Sequence, residues 1–163
     1  MSLYSELKDS YTKNKKEIDK VLTNKSTTTV LGKAAVKILK VLVEKTKEKL
    51  KNKPKDLRSF KAYIYFPVKL GKELTGLSQK KQKEGLDRLM YYKLIRLVYK
   101  RDIFNYSVRL IYMNFDRFEA FNEYAINLIK TFNKYGGDIE EPYLMTEEEE
   151  EDEFPDYIKY GKA

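Results

Sequence analysis

The sequence predicts a mainly helical α+β protein that carries one small β-hairpin. Apolar residues recur at helical spacing through most of the first 92 positions, which indicates amphipathic helices. Two β-prone runs, Ile95–Arg101 and Val108–Phe115, are separated by six residues and predict the hairpin. An apolar content of 42% is enough for a packed core, and a charged content of 36% is typical of a helical protein surface.

The first helix is expected over Ser2–Leu22, where the apolar residues that recur at helical spacing are Leu3, Leu7, Tyr11, Ile18 and Leu22. The stretch Thr23–Thr29 (TNKSTTT) is interpreted as a break, and Thr28 or Thr29 is expected to cap the next helix. That helix is predicted over Val30–Leu50. Its broad apolar stripe consists of Leu31, Ala34, Ala35, Ile38, Val41 and Leu42.

A short strand and two further helices are predicted before the hairpin. The strand is placed at Tyr63–Phe66, and Pro67 suits the first turn of a helix over Val68–Thr75. After a glycine turn, Ser78 is expected to cap a longer helix that runs to about Tyr92. The residues of these two helices that are expected to face the core are Leu70, Leu74, Leu86, Leu89 and Met90.

A C-terminal helix is predicted over residues 116–135 and is ended by Gly136 and Gly137. Its apolar residues follow a 3, 4, 3, 4, 3 spacing: Phe118, Phe121, Ala125, Leu128, Phe132 and Tyr135. Packing onto the same chain is one explanation of this seam. Pairing with a second subunit is the explanation that we favour, because the preceding elements already supply a core. The seam therefore predicts a homodimer.

The net charge of +8 is distributed unevenly along the chain. Eleven acidic residues and two lysines follow Tyr135, so this last segment carries −9 and the first 135 residues carry +17. A body that basic repels itself unless it meets a polyanion, and nucleic acid is the commonest such partner. An ordinary lysine-rich surface is the alternative that composition alone leaves open.

The sequence lacks the side chains on which most enzyme and metal sites depend. It contains neither cysteine nor histidine, which excludes thiol nucleophiles, imidazole bases and the usual zinc ligands. We therefore assign no catalytic residue, metal or cofactor and expect a non-enzyme; an enzyme built on carboxylates is the remaining alternative. The sequence shows no signal peptide and no stretch of about 18 apolar residues. A cytoplasmic, nucleoid-associated protein without a membrane partner is expected.

The segment from Val68 to Ile95 reads VKLGKELTGLSQKKQKEGLDRLMYYKLI. It resembles the winged helix-turn-helix family of DNA-binding proteins, in which a short helix leads through Gly-Leu-Ser into a recognition helix. The matching positions are Leu70, Leu74, Gly76, Leu77, Ser78, Leu86, Leu89, Leu94 and Ile95. Gln82 departs from the pattern by replacing a small core residue, and Lys93 by replacing a glycine. These departures predict looser packing beneath the helix and a helix end without a left-handed cap.

The resemblance implies a winged helix-turn-helix domain over residues 30–115, with extra helices before and after it. Residues 1–29 would then form an N-terminal amphipathic helix and linker, and residues 116–135 a dimerising helix. Residues 136–163 form an acidic tail for which no fixed structure is expected, since blocks of like charge repel one another.

Double-stranded DNA is the partner that the resemblance implies. The expected contacts of the recognition helix are Gln79, Lys80, Lys81, Lys83 and Glu84. The lysines are expected to contact phosphates, whereas Gln79 is expected to hydrogen-bond to adenine and Glu84 to accept a hydrogen bond from cytosine. In the wing, the expected contacts with the DNA backbone or a narrow minor groove are Lys100, Arg101, Asn105, Tyr106 and Arg109.

A homodimeric, sequence-preferring regulator of transcription is the function that these expectations favour. A plasmid or phage replication or partition protein would use the same DNA-binding face. A winged-helix adaptor, whose basic face binds an acidic protein, is a third possibility, because fold alone does not decide function. The acidic tail is expected either to compete with DNA for the basic face or to recruit a protein partner; a role in solubility alone is the alternative.

Overall fold

The computed structural model describes residues 2–101 and 107–135, and it confirms a mainly helical α+β fold. The helices are α1 (Leu3–Lys13), α2 (Lys15–Thr23), α3 (Lys25–Leu31), α4 (Lys33–Lys51), α5 (Val68–Thr75), α6 (Gln79–Tyr91) and α7 (Phe118–Tyr135). The strands are β1 (Ile64–Tyr65), β2 (Ile95–Arg101) and β3 (Ser107–Met113). Short 3-10 turns lie at Leu57–Ser59 and Phe115–Arg117. None of the helices in the described ranges is long and apolar enough to cross a membrane.

The predicted N-terminal helix is divided into α1 and α2 at Asn14. This residue leaves helical geometry at φ −103°, ψ 10°. Its side-chain amide donates to the carbonyl oxygen of Ser10 at 2.8 Å and to Asp116 Oδ1 at 2.9 Å. Asn14 is buried, so these bonds satisfy a group that water cannot reach. The break lets α1 contact the 3-10 turn at Phe115–Arg117 while α2 contacts α7.

The predicted break at Thr23–Thr29 is wrong, because most of this stretch lies in α3. The Asn24 side chain caps the helix by accepting from the main-chain nitrogens of Ser26 at 2.8 Å and Thr27 at 3.4 Å. The hydroxyls of Thr28 and Thr29 donate to the carbonyl oxygens of Asn24 and Lys25, and that of Thr27 donates to the carbonyl oxygen of Val21 in α2. Neither Thr28 nor Thr29 caps α4; that position is taken by Gly32, whose φ of 85° separates the two helices.

The three strands form an antiparallel sheet in the order β1-β3-β2. The predicted hairpin is confirmed, since all seven residues of β2 pair with β3 from Ile95↔Met113 to Arg101↔Ser107. The predicted first strand is present but shorter, and it joins the sheet through Ile64↔Ile111. The central strand β3 is therefore held on both sides.

The buried apolar residues of the described ranges form one cluster, from Tyr4 to Ala125. Helix α4 packs closely against α6 at Gly85, where an added Cβ would lie 2.7 Å from Ile38 Cδ1 and 3.1 Å from main-chain atoms of Ala34 and Ala35. The prediction that Leu74 faces inward is wrong, because its side chain is 42% exposed. The buried residue of α5 is Gly71, and its lack of a side chain lets this helix lie close to α6.

The predicted dimer seam is half occupied by the chain's own core. Phe118, Phe121 and Ala125 are buried where α7 packs on α2 and α3. Asn122 strengthens that contact by donating to the carbonyl oxygen of Glu17 at 3.0 Å. The expectation that these three apolar residues face a second subunit is therefore wrong, because α2 and α3 form a layer that α7 covers.

Candidate functional site

The N-terminal half of α6 presents all of its polar residues except Gln82 to solvent, on the face that the sequence predicts. Ser78 caps the helix by accepting from the main-chain nitrogen of Lys81 at 3.2 Å, and Gly76 makes the preceding turn at φ 73°. The exposed residues of this half are Gln79, Lys80, Lys81, Lys83 and Glu84. The opposite side is buried through Gln82, Gly85, Leu86 and Leu89.

Two of the three lysines on α6 form ion pairs within the helix. Lys81 lies 3.2 Å from Glu84, and Lys83 lies 2.8 Å from Asp87. The hydrogen bond from Lys83 to Asp87 raises the pKa of the Lys83 ammonium above its ordinary value. Lys80 has no ion pair within the described part of the chain. Exposed pairs of this kind are weak and are easily exchanged for a polyanion.

The hairpin places its cations on two different faces. Side chains alternate along a strand, so Leu97, Tyr99 and Arg101 share one face of β2 and Lys100 lies on the other. Leu97 and Tyr99 line a cleft beside α6. Arg101 therefore lies on the face of the hairpin that borders α6, and Lys100 lies on the opposite face. Asn105 and Tyr106, which the sequence also assigns to DNA, lie outside the described residues.

The expectation for Arg109 is corrected, because this residue is buried. Its side chain is only 6% exposed and lies over the ring of Phe66, with Cζ 5.1 Å from the ring centroid. Arg109 Nε donates to the carbonyl oxygen of Phe66 at 2.8 Å, and Nη2 donates to Gln82 Oε1 at 2.6 Å. Burial lowers the pKa of the Arg109 guanidinium. The residue joins the hairpin to α6 and is not an exposed wing contact.

Gln82 also differs from the expectation, because its side chain tightens the packing beneath α6 that it was expected to loosen. Its side-chain nitrogen donates to the carbonyl oxygens of Val68 at 3.1 Å and Leu77 at 3.0 Å, while its oxygen accepts from Arg109. Gly71 leaves the space for this arrangement, since an added Cβ would lie 2.7 Å from Gln82 Cδ. We call Gln82 and Arg109 the buried polar pair. It connects α5, α6 and the hairpin.

The end of α6 also differs from the prediction. Lys93 adopts φ 62°, so the left-handed cap is present although the residue is not glycine. The main-chain nitrogen of Lys93 bonds to the carbonyl oxygen of Met90, and that of Leu94 bonds to the carbonyl oxygen of Leu89, at 2.9 and 3.0 Å. This is the Schellman arrangement of a helix end. Asn114 Nδ2 stabilises it by donating to the Lys93 carbonyl oxygen at 2.9 Å.

A cleft of about 670 Å³ lies between α6, the start of α5 and the hairpin; we call it the α6–hairpin cleft. The described residues that line it are Pro67, Val68, Ser78, Gln79, Lys80, Lys83, Leu86, Asp87, Leu97, Tyr99 and Arg109. Tyr99 is 62% exposed and was missed at the sequence level. The period-2 alternation with Leu97 is the signal that places it beside α6.

No family model, curated protein or solved structure matches this chain. Within residues 2–101 and 107–135, no group of three or more acidic side chains is arranged to hold a metal ion.

Proposed function

We propose that this protein binds double-stranded DNA as a winged helix-turn-helix protein and regulates transcription. In this proposal α6 is the recognition helix, β2 and β3 form the wing, and the protein acts in the cytoplasm on nucleoid DNA. The observation that carries the proposal is the exposed cationic face of α6, formed by Lys80, Lys81 and Lys83 just after the Ser78 cap. A recognition helix contacts base edges with its N-terminal residues.

The order of the elements supports this proposal. Helix α4, strand β1, helices α5 and α6, and the β2–β3 hairpin follow one another as the resemblance implies. The buried polar pair would fix the angle between the recognition helix and the wing. A fixed angle is required if both elements are to contact one DNA duplex. Gln79 and Glu84 are exposed on the same helix and would read bases, whereas Arg101 would contact the backbone or the minor groove.

Fluorescence anisotropy with labelled random and genomic duplexes, over a series of salt concentrations, tests the proposal. Lys80→Ala should weaken binding to every duplex and make the slope of log K against log salt less negative by about 0.9 for one lost phosphate contact. Gln79→Ala should cost about 1 to 3 kcal/mol on a preferred site and little on random DNA.

Lys16→Ala is the matched control, because Lys16 is exposed on α2 and its loss changes the net charge equally. Folding of each variant is checked by circular dichroism. If Lys80→Ala and Gln79→Ala both bind like Lys16→Ala, α6 does not bind DNA. A protein adaptor with a basic face then becomes the better description.

The proposed dimer is confined to the exposed end of α7. Phe132 and Tyr135 are 38% and 75% exposed, and Leu128 is half-buried beside them. We expect Phe132→Glu with Tyr135→Glu to shift a dimer to monomer in sedimentation velocity, because two charges would enter the contact. Asn133→Glu, also on exposed α7 surface, is the control. A folded double variant that stays dimeric would exclude this surface as the interface.

A further inference from the structure

Among the described residues, Arg109 is a buried cation without a buried counter-charge. Its guanidinium uses Nε and Nη2 on neutral acceptors, the Phe66 carbonyl oxygen and the Gln82 amide oxygen. None of the ion pairs in the described part of the chain involves Arg109. A buried charge is normally paired, and this one contributes to the wall of the α6–hairpin cleft.

The rest of the cleft has an apolar floor and a rim of net positive charge, on which Lys83 is paired with Asp87 at 2.8 Å and Lys80 has no ion pair within the described residues. Val68, Leu86 and Leu97 supply the apolar surface, and Lys80 and Lys83 stand on the α6 side. Its volume of about 670 Å³ falls within the roughly 300 to 1,000 Å³ of small-molecule sites. A cleft of this kind is complementary to a small molecule that has an apolar body and one anionic group.

We propose that the α6–hairpin cleft binds a small organic anion, a carboxylate or a phosphate monoester on an aliphatic or aromatic body. The apolar body contacts Val68, Leu86 and Leu97, and the anionic group meets the charges of Arg109, Lys80 and Lys83. Gln79, Lys80 and Lys83 also belong to the proposed DNA face. The ligand therefore competes with DNA, and this last step alone rests on the proposed function.

The natural absence of tryptophan allows a site-specific test. Tyr99→Trp, at a largely exposed position of the cleft, supplies a single fluorescent reporter, which we call the cleft reporter. The probes are cyclohexanecarboxylate and phenyl phosphate. Cyclohexanecarboxamide is the uncharged control for the carboxylate, and inorganic phosphate is the control anion that lacks an apolar group. We expect saturable shifts of the indole emission of the cleft reporter with both organic anions, at least tenfold tighter than with the amide or inorganic phosphate. A Tyr135→Trp reporter should not respond.

The variant that tests the charges is Lys80→Ala with Lys83→Ala, because both lysines are exposed and their loss should not unfold the chain. It should weaken binding of the organic anions at least fivefold, whereas Lys16→Ala should leave it unchanged. Equal binding of acid and amide, tight binding of inorganic phosphate alone, or no response below 10 mM would overturn the proposed site.

Competition with DNA is measured separately by adding each organic anion to a complex with a labelled duplex. Displacement at the concentrations that shift the emission of the cleft reporter is the expected result. If the anions bind but do not displace the duplex, the proposed ligand site is supported and the proposed competition with DNA is wrong. If no duplex binds at all, the proposed function fails while the titration of the cleft reporter still decides the ligand site.

Discussion

Gln82 and Arg109 show how much of this fold depends on two polar side chains. Both are buried, and each bonds to main-chain carbonyl oxygens of neighbouring segments as well as to the other. Buried polar groups are strongly destabilising when they lose a partner, whereas a complete network specifies one arrangement. The buried polar pair thus connects α6 to the hairpin by hydrogen bonds that are shielded from water.

Gln82→Ala should lower the free energy of unfolding by about 2 to 4 kcal/mol, since it removes the acceptor of a buried guanidinium and two donors to carbonyl oxygens. Urea denaturation followed by circular dichroism measures the change. Gln79→Ala is the control, because the same residue type is exposed three positions earlier in the same helix. Equal stabilities of the two variants would show that the network contributes nothing to folding.

Among the described residues, Lys93 is the one non-glycine residue with a left-handed backbone conformation, at φ 62°. A side chain with a Cβ is strained there by roughly 1 to 2 kcal/mol, and glycine removes that strain while it raises the entropy of the unfolded chain. We expect Lys93→Gly to raise the melting temperature, with a net gain of about 0.5 to 1 kcal/mol. Lys93→Ala keeps the Cβ and should give no gain. A glycine variant no more stable than the alanine variant would contradict the strain argument.

At the scale of elements, aromatic rings join the end of α6 to α7. The ring centroid of Tyr92 lies 5.0 Å from that of Phe121 and 5.8 Å from that of Tyr124. Burial raises the pKa of Tyr92 to about 12, and the neighbouring Tyr124 acts in the same direction. The folded chain therefore favours the neutral phenol of Tyr92.

This raised pKa predicts a loss of stability in alkali. The unfolded chain releases the Tyr92 proton near pH 10, whereas the folded chain holds it to about pH 12. The stabilisation is complete below pH 10 and is lost as pH rises from 10 to 12. Tyr92→Phe should flatten the dependence of unfolding free energy on pH above 10, measured by urea denaturation between pH 8 and 11. Parallel curves for the two proteins would be evidence against it.

At the scale of the whole molecule, charge separates the chain into a basic body and an acidic tail. The first 135 residues carry +17 and residues 136–163 carry −9. The tail lies outside the described residues. A polyanion that is tethered to the body increases the negative charge near the DNA-binding surface, and this charge repels the phosphate backbone of DNA.

Deletion of residues 136–163 should therefore tighten binding to random duplex DNA, most strongly at low salt, where screening is weakest. Anisotropy at 50 and 300 mM NaCl measures the effect, and the two proteins should converge at the higher salt. A full-length variant with amides in place of the acids of 147–153 should behave like the deletion. Equal affinity at 50 mM NaCl for all three proteins would mean that the tail does not compete.

Much of the fold follows from local patterns in the sequence. The Ser78 cap, the exposed lysines of α6 and the β2–β3 hairpin were predictable because caps, helical periodicity and paired β-prone runs act over a few residues. The threonine-rich α3 was missed because β-branched polar residues favour breaks on average. Here the hydroxyls find carbonyl acceptors, and Asn24 starts the helix one residue after α2 ends.

The sequence by itself determined which segments are helical or extended in α4 to β3, and which residues of α6 face solvent. Only the tertiary structure decided that Arg109 is buried on Gln82 and that half of the α7 seam packs on α2 and α3. The physical reason is the range of the interactions. Capping and periodicity are set by neighbours three or four positions away, whereas the burial of Arg109 depends on Phe66 and Gln82, which lie far from it along the chain.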